Sequence, residues 1–181
     1  LYAGVMSHNA FVFGVISVQL VPLLEAAGLA TAAAVWVASL KGFAQFGGRV
    51  VEIAFGRNLR AITVARIAIV VLPVSFALLF LSDGHLAFIV AFTVLMGASQ
   101  GVITIVRGAL PLALFGPNGY GAVLGVLATP ILLVNAASPT VFALVVDTWG
   151  WRTAQAVLIA TSAASWIAIE LMTRWYERRR G

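Results

Sequence analysis

The sequence predicts an all-α membrane protein folded as a bundle of six transmembrane helices, on three observations. Hydrophobic residues make up 62% of the 181 and charged residues only 9%, against ~25% charged in soluble domains. So few charges cannot cover a water-facing surface. Mostly apolar stretches of about 20 residues, the length that crosses a bilayer, recur along the chain. Turn-forming residues gather in short breaks between them.

The first span, 3–24, closes at Glu25–Gly28 and carries His8, Asn9 and Gln19 among apolar residues. Its apolar run has no basic segment before it and no processing site after it, which argues against a signal peptide. Its opening at Leu1 leads us to expect a true start upstream. The second span, 30–55, ends at Gly56-Arg57-Asn58 and holds Lys41, Gln45, Gly48 and Glu52 at helical spacing on one face. The third, 59–81, carries Arg66 and ends at Ser82-Asp83-Gly84-His85. The fourth, 86–114, has a stripe of Thr93, Gln100, Thr104, Arg107 and Pro111 before Gly116-Pro117-Asn118-Gly119. The fifth, 120–146, includes Asn135 and Ser138 and breaks at Asp147–Gly150. The sixth, 149–174, includes Glu170 and leads into a basic tail, 175–181. Such tight breaks make successive helices antiparallel neighbours. A transmembrane barrel would need alternating segments of about ten residues, which the chain lacks.

Charge sets the orientation. Arg57, Arg60, Arg174, Arg178, Arg179 and Arg180 fall on the side of both termini, whereas the other side has Arg152 with Glu25, Asp83 and Asp147. Both termini are therefore expected in the cytoplasm, with the protein multi-pass in the plasma (inner) membrane. Tyr2, Trp149, Trp151, Trp175 and Tyr176 lie near the expected span ends, as an aromatic interface belt requires. The net charge of +5 does not imply nucleic acid, because Lys41, Arg66 and Arg107 are isolated in apolar runs and form no basic face. The absence of cysteine excludes disulfides and thiolate metal sites. No cofactor is expected.

Three stretches resemble a known family. The run Gly47-Gly48-Arg49-Val50-Val51-Glu52-Ile53-Ala54-Phe55-Gly56-Arg57-Asn58-Leu59-Arg60 is similar to the connection between the eighth and ninth helices of the major facilitator superfamily. Ile53 and Ala54 stand where that family has an acid-then-base pair. Arg107–Gly116 with Gly119-Tyr120-Gly121 resembles its tenth-to-eleventh helix region. Ala137-Ser138-Pro139, then Asp147, Gly150, Trp151 and Arg152, resemble its eleventh helix and the turn into its twelfth. The resemblance covers the whole chain but half of a typical member, so it implies the C-terminal six-helix half, with a missing N-terminal six-helix half as partner. It implies a cytoplasmic loop motif at Gly48, Glu52, Gly56 and Arg57. It also implies a cavity lined by the first, second, fourth and fifth spans, and secondary transport by alternating access.

An ionisable residue at mid-membrane is costly and usually faces a cavity or a partner. Lys41 lies about eleven residues into its span, ~16 Å deep at 1.5 Å per residue. It meets either an anionic, carboxylate-like substrate or an acid of another helix. The expected substrate-binding set is Lys41, Gln45, Gln100, Arg107, Asn135 and His8. Arg107 alternatively anchors the cytoplasmic end, and Asn135 and His8 alternatively make interhelical hydrogen bonds. Arg66 and Glu170 are expected to form a structural ion pair, with Arg174 competing for the carboxylate. Gly97-Ala98-Ser99-Gln100-Gly101 matches a nucleophile-elbow pattern, but no histidine is at hand as a base, and small residues at this spacing suit helix packing. The expected function is thus transport of a small solute among membrane lipids. A six-helix transporter of another family acting as a homodimer, or an intramembrane enzyme, are the alternatives.

Overall fold

Long apolar segments whose backbone cannot bond to water satisfy it internally, so they coil into helices. The computed structural model describes residues 2–56, 59–116 and 119–178, and no strand occurs among them. Its elements are α1 (Tyr2–Ala26), α2 (Thr31–Phe55), α3 (Ala61–Phe80), α4 (Leu86–Phe115) and α5 (Tyr120–Arg178). Four of them, α1, α3, α4 and α5, are long and apolar enough to cross a membrane by length and composition. α2 is not among the four, since Lys41, Gln45, Arg49 and Glu52 interrupt its apolar surface.

Two expectations need correction. The turn expected at Asp147–Gly150 is no loop, because helix continues on both sides and only Gly150 departs, at φ 77°, ψ 170°. That region is open essentially to glycine alone, so the break contracts to one residue. It splits α5 into a first arm, 120–149, and a second arm, 151–178. The basic tail expected from residue 175 begins as helix, since α5 runs on to Arg178. A basic last turn suits the negative end of the helix dipole. Arg179, Arg180 and Gly181 lie outside the described residues, as do Arg57 and Asn58.

Prolines inside helices remove a hydrogen bond from the carbonyl four residues earlier, and two of those carbonyls find other donors. Pro139 frees Asn135 O, which accepts from Ser138 Oγ at 2.8 Å. Pro111 frees Arg107 O, which accepts from Tyr2 Oη at 2.9 Å. Tyr2 is accordingly buried and is not the interface aromatic expected of it. Trp149 and Trp175 remain exposed.

α1 packs chiefly on α5, α2 on α4, and α3 on both α4 and α5. The α2–α4 joint is a seam of small residues. A methyl on Gly48 would strike the Ala98 backbone, one on Gly101 the Gln45 carbonyl, and one on Gly97 would come within 2.9 Å of Ala44 Cβ and Lys41 O. The α1–α5 joint repeats the device, with Gly14 against Asn135 and Ser138 of the first arm. Asn135 Nδ2 donates to Ala10 O at 3.0 Å. Asn9 Nδ2 donates to Ser165 Oγ of the second arm at 2.5 Å, while Ser99 Oγ of α4 donates to Ala68 O of α3 at 2.6 Å. Arg66 of α3 reaches Glu170 of the second arm with two bonds, Nε to Oε1 at 2.7 Å and Nη2 to Oε2 at 2.8 Å. Both carboxylate oxygens are engaged there, and Arg174 makes no ion pair among the described residues.

These joints have an internal order. Exchange α1 with α4, α2 with the first arm of α5, and α3 with the second arm. The α1–first-arm joint then maps onto α4–α2, and α3–α4 maps onto second-arm–α1. The joint of α3 with the second arm maps onto itself. Large apolar side chains such as Phe43, Phe46, Phe55, Val126 and Leu133 point outward, a surface suited to lipid and not to water. At one end the α1–α2 and α3–α4 turns touch. Gly28 and Gly84, both at positive φ, lie so close that a Cβ on Gly28 would sit 3.3 Å from Gly84 Cα.

Candidate functional site

The α2–α4 seam brings backbones together, and that closeness sets polar side chains of the two helices against each other. Gln45 Nε2 donates to Gln100 Oε1 at 3.3 Å. Gln100 is buried, and its own Nε2 has no hydrogen-bond partner. One turn before Gln45, Lys41 extends its Nζ over the Phe13 ring of α1, 5.6 Å from the centroid. It forms no ion pair among the described residues. A cation on a ring face is attracted by the ring quadrupole, yet a ring accepts no formal charge. Two turns beyond Gln100 along α4, Arg107 Nε is also buried without a partner. The stripe of Lys41, Gln100 and Arg107 therefore offers donors in excess of acceptors.

The remaining candidates point elsewhere. Asn135 is spent on the α1 backbone at Ala10. His8 Nδ1 lies 2.7 Å from Gly4 O of its own helix. Neither contacts Gln45 or Gln100 through a hydrogen bond among the described residues. Gly48 and Glu52, expected in a cytoplasmic loop, belong to α2 itself, and Gly56 caps its end by donating its N–H to Glu52 O. Arg57 of that motif lies outside the described residues. Phe13 was not anticipated from the sequence, where one phenylalanine among many carries no signal until α1 and α2 are placed side by side.

Ser99, the serine of the elbow-like pattern, donates to Ala68 O across the α3–α4 joint, and Gly97 and Gly101 on either side of it pack on α2. A cavity of about 490 Å³ opens between α2, α3 and α4 on the other side of the seam, lined by residues such as Val51, Phe55, Val71 and Leu95. Among the described residues, Glu52 is the charged one in its wall.

Comparison with protein-family models, curated proteins and solved structures finds no match. The reading of the site therefore rests on its own chemistry. Unpartnered donors along two close-packed helices, Lys41 and Gln100 near their middles and Arg107 two turns further on, suit a ligand rich in acceptors. Among the described residues no group of three or more histidines and carboxylates gathers to hold a metal.

Proposed function

We propose that this chain is one half of a secondary transporter, with six membrane crossings, that moves a small anionic solute by rocking against a companion half. The observation that carries the reading is the donor excess along α2 and α4. The Lys41 ammonium, Gln100 Nε2 and Arg107 Nε lack an acceptor among the described residues. A carboxylate-bearing solute supplies acceptors to such groups, and charge-assisted bonds of this kind are the stronger ones.

The exchange order of the helix joints supports the same reading. Tight turns alternate helix direction, so an exchange of α1 with α4 inverts the repeat. Inverted repeats of three helices are a recurrent way of building transporter halves that alternate access. In this reading α5 crosses twice, once on each side of Gly150, and α2 crosses as well. In this proposal both termini lie in the cytoplasm of a cell whose plasma membrane holds the protein.

The test is uptake of labelled small carboxylates, acetate and lactate among them, by cells producing the full protein. Lys41→Gln should abolish uptake while leaving membrane insertion and thermal unfolding unchanged. Lys41→Arg should retain part of it, since charge survives and geometry changes. Full uptake by a stable Lys41→Gln protein would remove the anion contact from Lys41.

A further inference from the structure

The touching turns at Gly28 and Gly84 enclose, with the start of the second arm of α5, a cleft of about 310 Å³. That is close to the lower end of the roughly 300–1,000 Å³ of small-molecule sites. Its chemistry differs from the rest of the molecule. Asp83 and Arg152, of opposite charge, both line it, yet they form no ion pair with each other or with any other described residue. Arg152 instead rests its guanidinium over the Phe80 ring, Cζ 4.9 Å from the centroid, which leaves its N–H edge available.

The cleft wall also holds two neutral polar side chains. Ser82 is 2% exposed and Gln155 9%. Both line the cleft, and neither side chain has a hydrogen-bond partner among the described residues. Their polar atoms are not among the fully buried unpartnered ones, so the hydroxyl and the amide stay accessible to bond a polar group that enters the cleft. Trp151 and Phe80 supply an apolar wall beside them.

We infer that this cleft binds a small zwitterion of the α-amino-acid class. The carboxylate meets the Arg152 guanidinium, aided by the positive end of the second-arm helix that begins at Trp151. The ammonium meets Asp83. Ser82 and Gln155 hydrogen-bond the N–H donors and carboxylate oxygens that Asp83 and Arg152 leave open, and the amino-acid side chain lies along Trp151 and Phe80. A fork of guanidinium donors matches a carboxylate in two-point geometry, which a simple cation or anion site would not need to combine with an acid. The cleft is separate from the Lys41 stripe, which lies about 15 Å along α2 from its start. It stands whether or not the chain is a transporter.

The purified full protein in lipid nanodiscs should bind glycine, L-alanine or L-leucine saturably in ligand-detected NMR. Acetate and methylammonium, each carrying one of the two charges, should bind at least tenfold more weakly. Arg152→Gln and Asp83→Asn should each weaken amino-acid binding tenfold or more, with unchanged thermal unfolding. Arg152→Lys should recover part of the loss and serves if the neutral variant folds poorly. Failure of all three amino acids to bind overturns the proposal. So does binding that survives both neutral substitutions, or acetate binding as tight as the amino acids and indifferent to Asp83→Asn.

Discussion

Tyr2 illustrates how one side chain answers a defect made far away in the sequence. Pro111 has no N–H for Arg107 O, and the Tyr2 hydroxyl supplies the missing donor. Tyr2→Phe should therefore leave a buried carbonyl unsatisfied, at a cost of about 1–3 kcal/mol. In a Pro111→Ala background the helix regains its own donor, so the same substitution should cost little. Equal losses in both backgrounds, measured by thermal unfolding in detergent, would show that the hydroxyl does not serve this carbonyl. Gly101 makes a second case, because a side chain there would enter the Gln45 backbone. Gly101→Leu should destabilise by at least the ~1–3 kcal/mol typical of overpacking and should separate Gln45 from Gln100. Half of this was readable beforehand. A proline's demand on the residue four back follows from sequence alone, but that Tyr2 answers it depends on how α1 lies against α4. Likewise the glycines of 97–101 announced close packing without naming α2 as the partner.

Between elements, the bond of α3 to the second arm of α5 rests on Arg66 and Glu170. The side chains are 40% and 26% exposed, so breaking the pair should cost between the ~1 kcal/mol of a surface pair and the ~3–5 kcal/mol of a buried one. Arg66→Gln with Glu170→Gln should cost less than the sum of the single changes. Strict additivity in a double-mutant cycle would contradict direct contact. Gly150 joins the two arms of α5 at a backbone conformation other residues avoid. Gly150→Ala should cost roughly 1–3 kcal/mol and disturb the arms without touching α2 or α4. The place of this junction was legible only approximately. Asp147, Thr148 and Gly150 are turn residues, so a break was expected over four positions. Helical hydrogen bonding proves strong enough to run through all but the glycine.

Across the whole molecule, the arginine asymmetry makes a prediction about sidedness. The chain has no cysteine, so a single introduced one reports its own position. A membrane-impermeant thiol reagent should label Asp147→Cys in sealed cells and leave Glu177→Cys unlabelled until the membrane is opened. The reverse pattern would invert the orientation. Composition and apolar run length made the helical class readable, because they depend on sums over many residues. The exchange order of the joints was not readable, since no local pattern tells which helices touch. The α2–α4 seam also bears on how the protein is made. A charged residue at the centre of a nascent helix resists entry into the bilayer by ~2.5–3.5 kcal/mol, and α2 carries Lys41 there. Its helper is α4, whose Gly97 and Gly101 accept its backbone, but α4 leaves the ribosome only after α2 and α3. Under the proposed six-crossing topology, α2 is therefore expected to lodge in the membrane late, when α4 arrives to receive its backbone, so that the order of settling would differ from the order of synthesis.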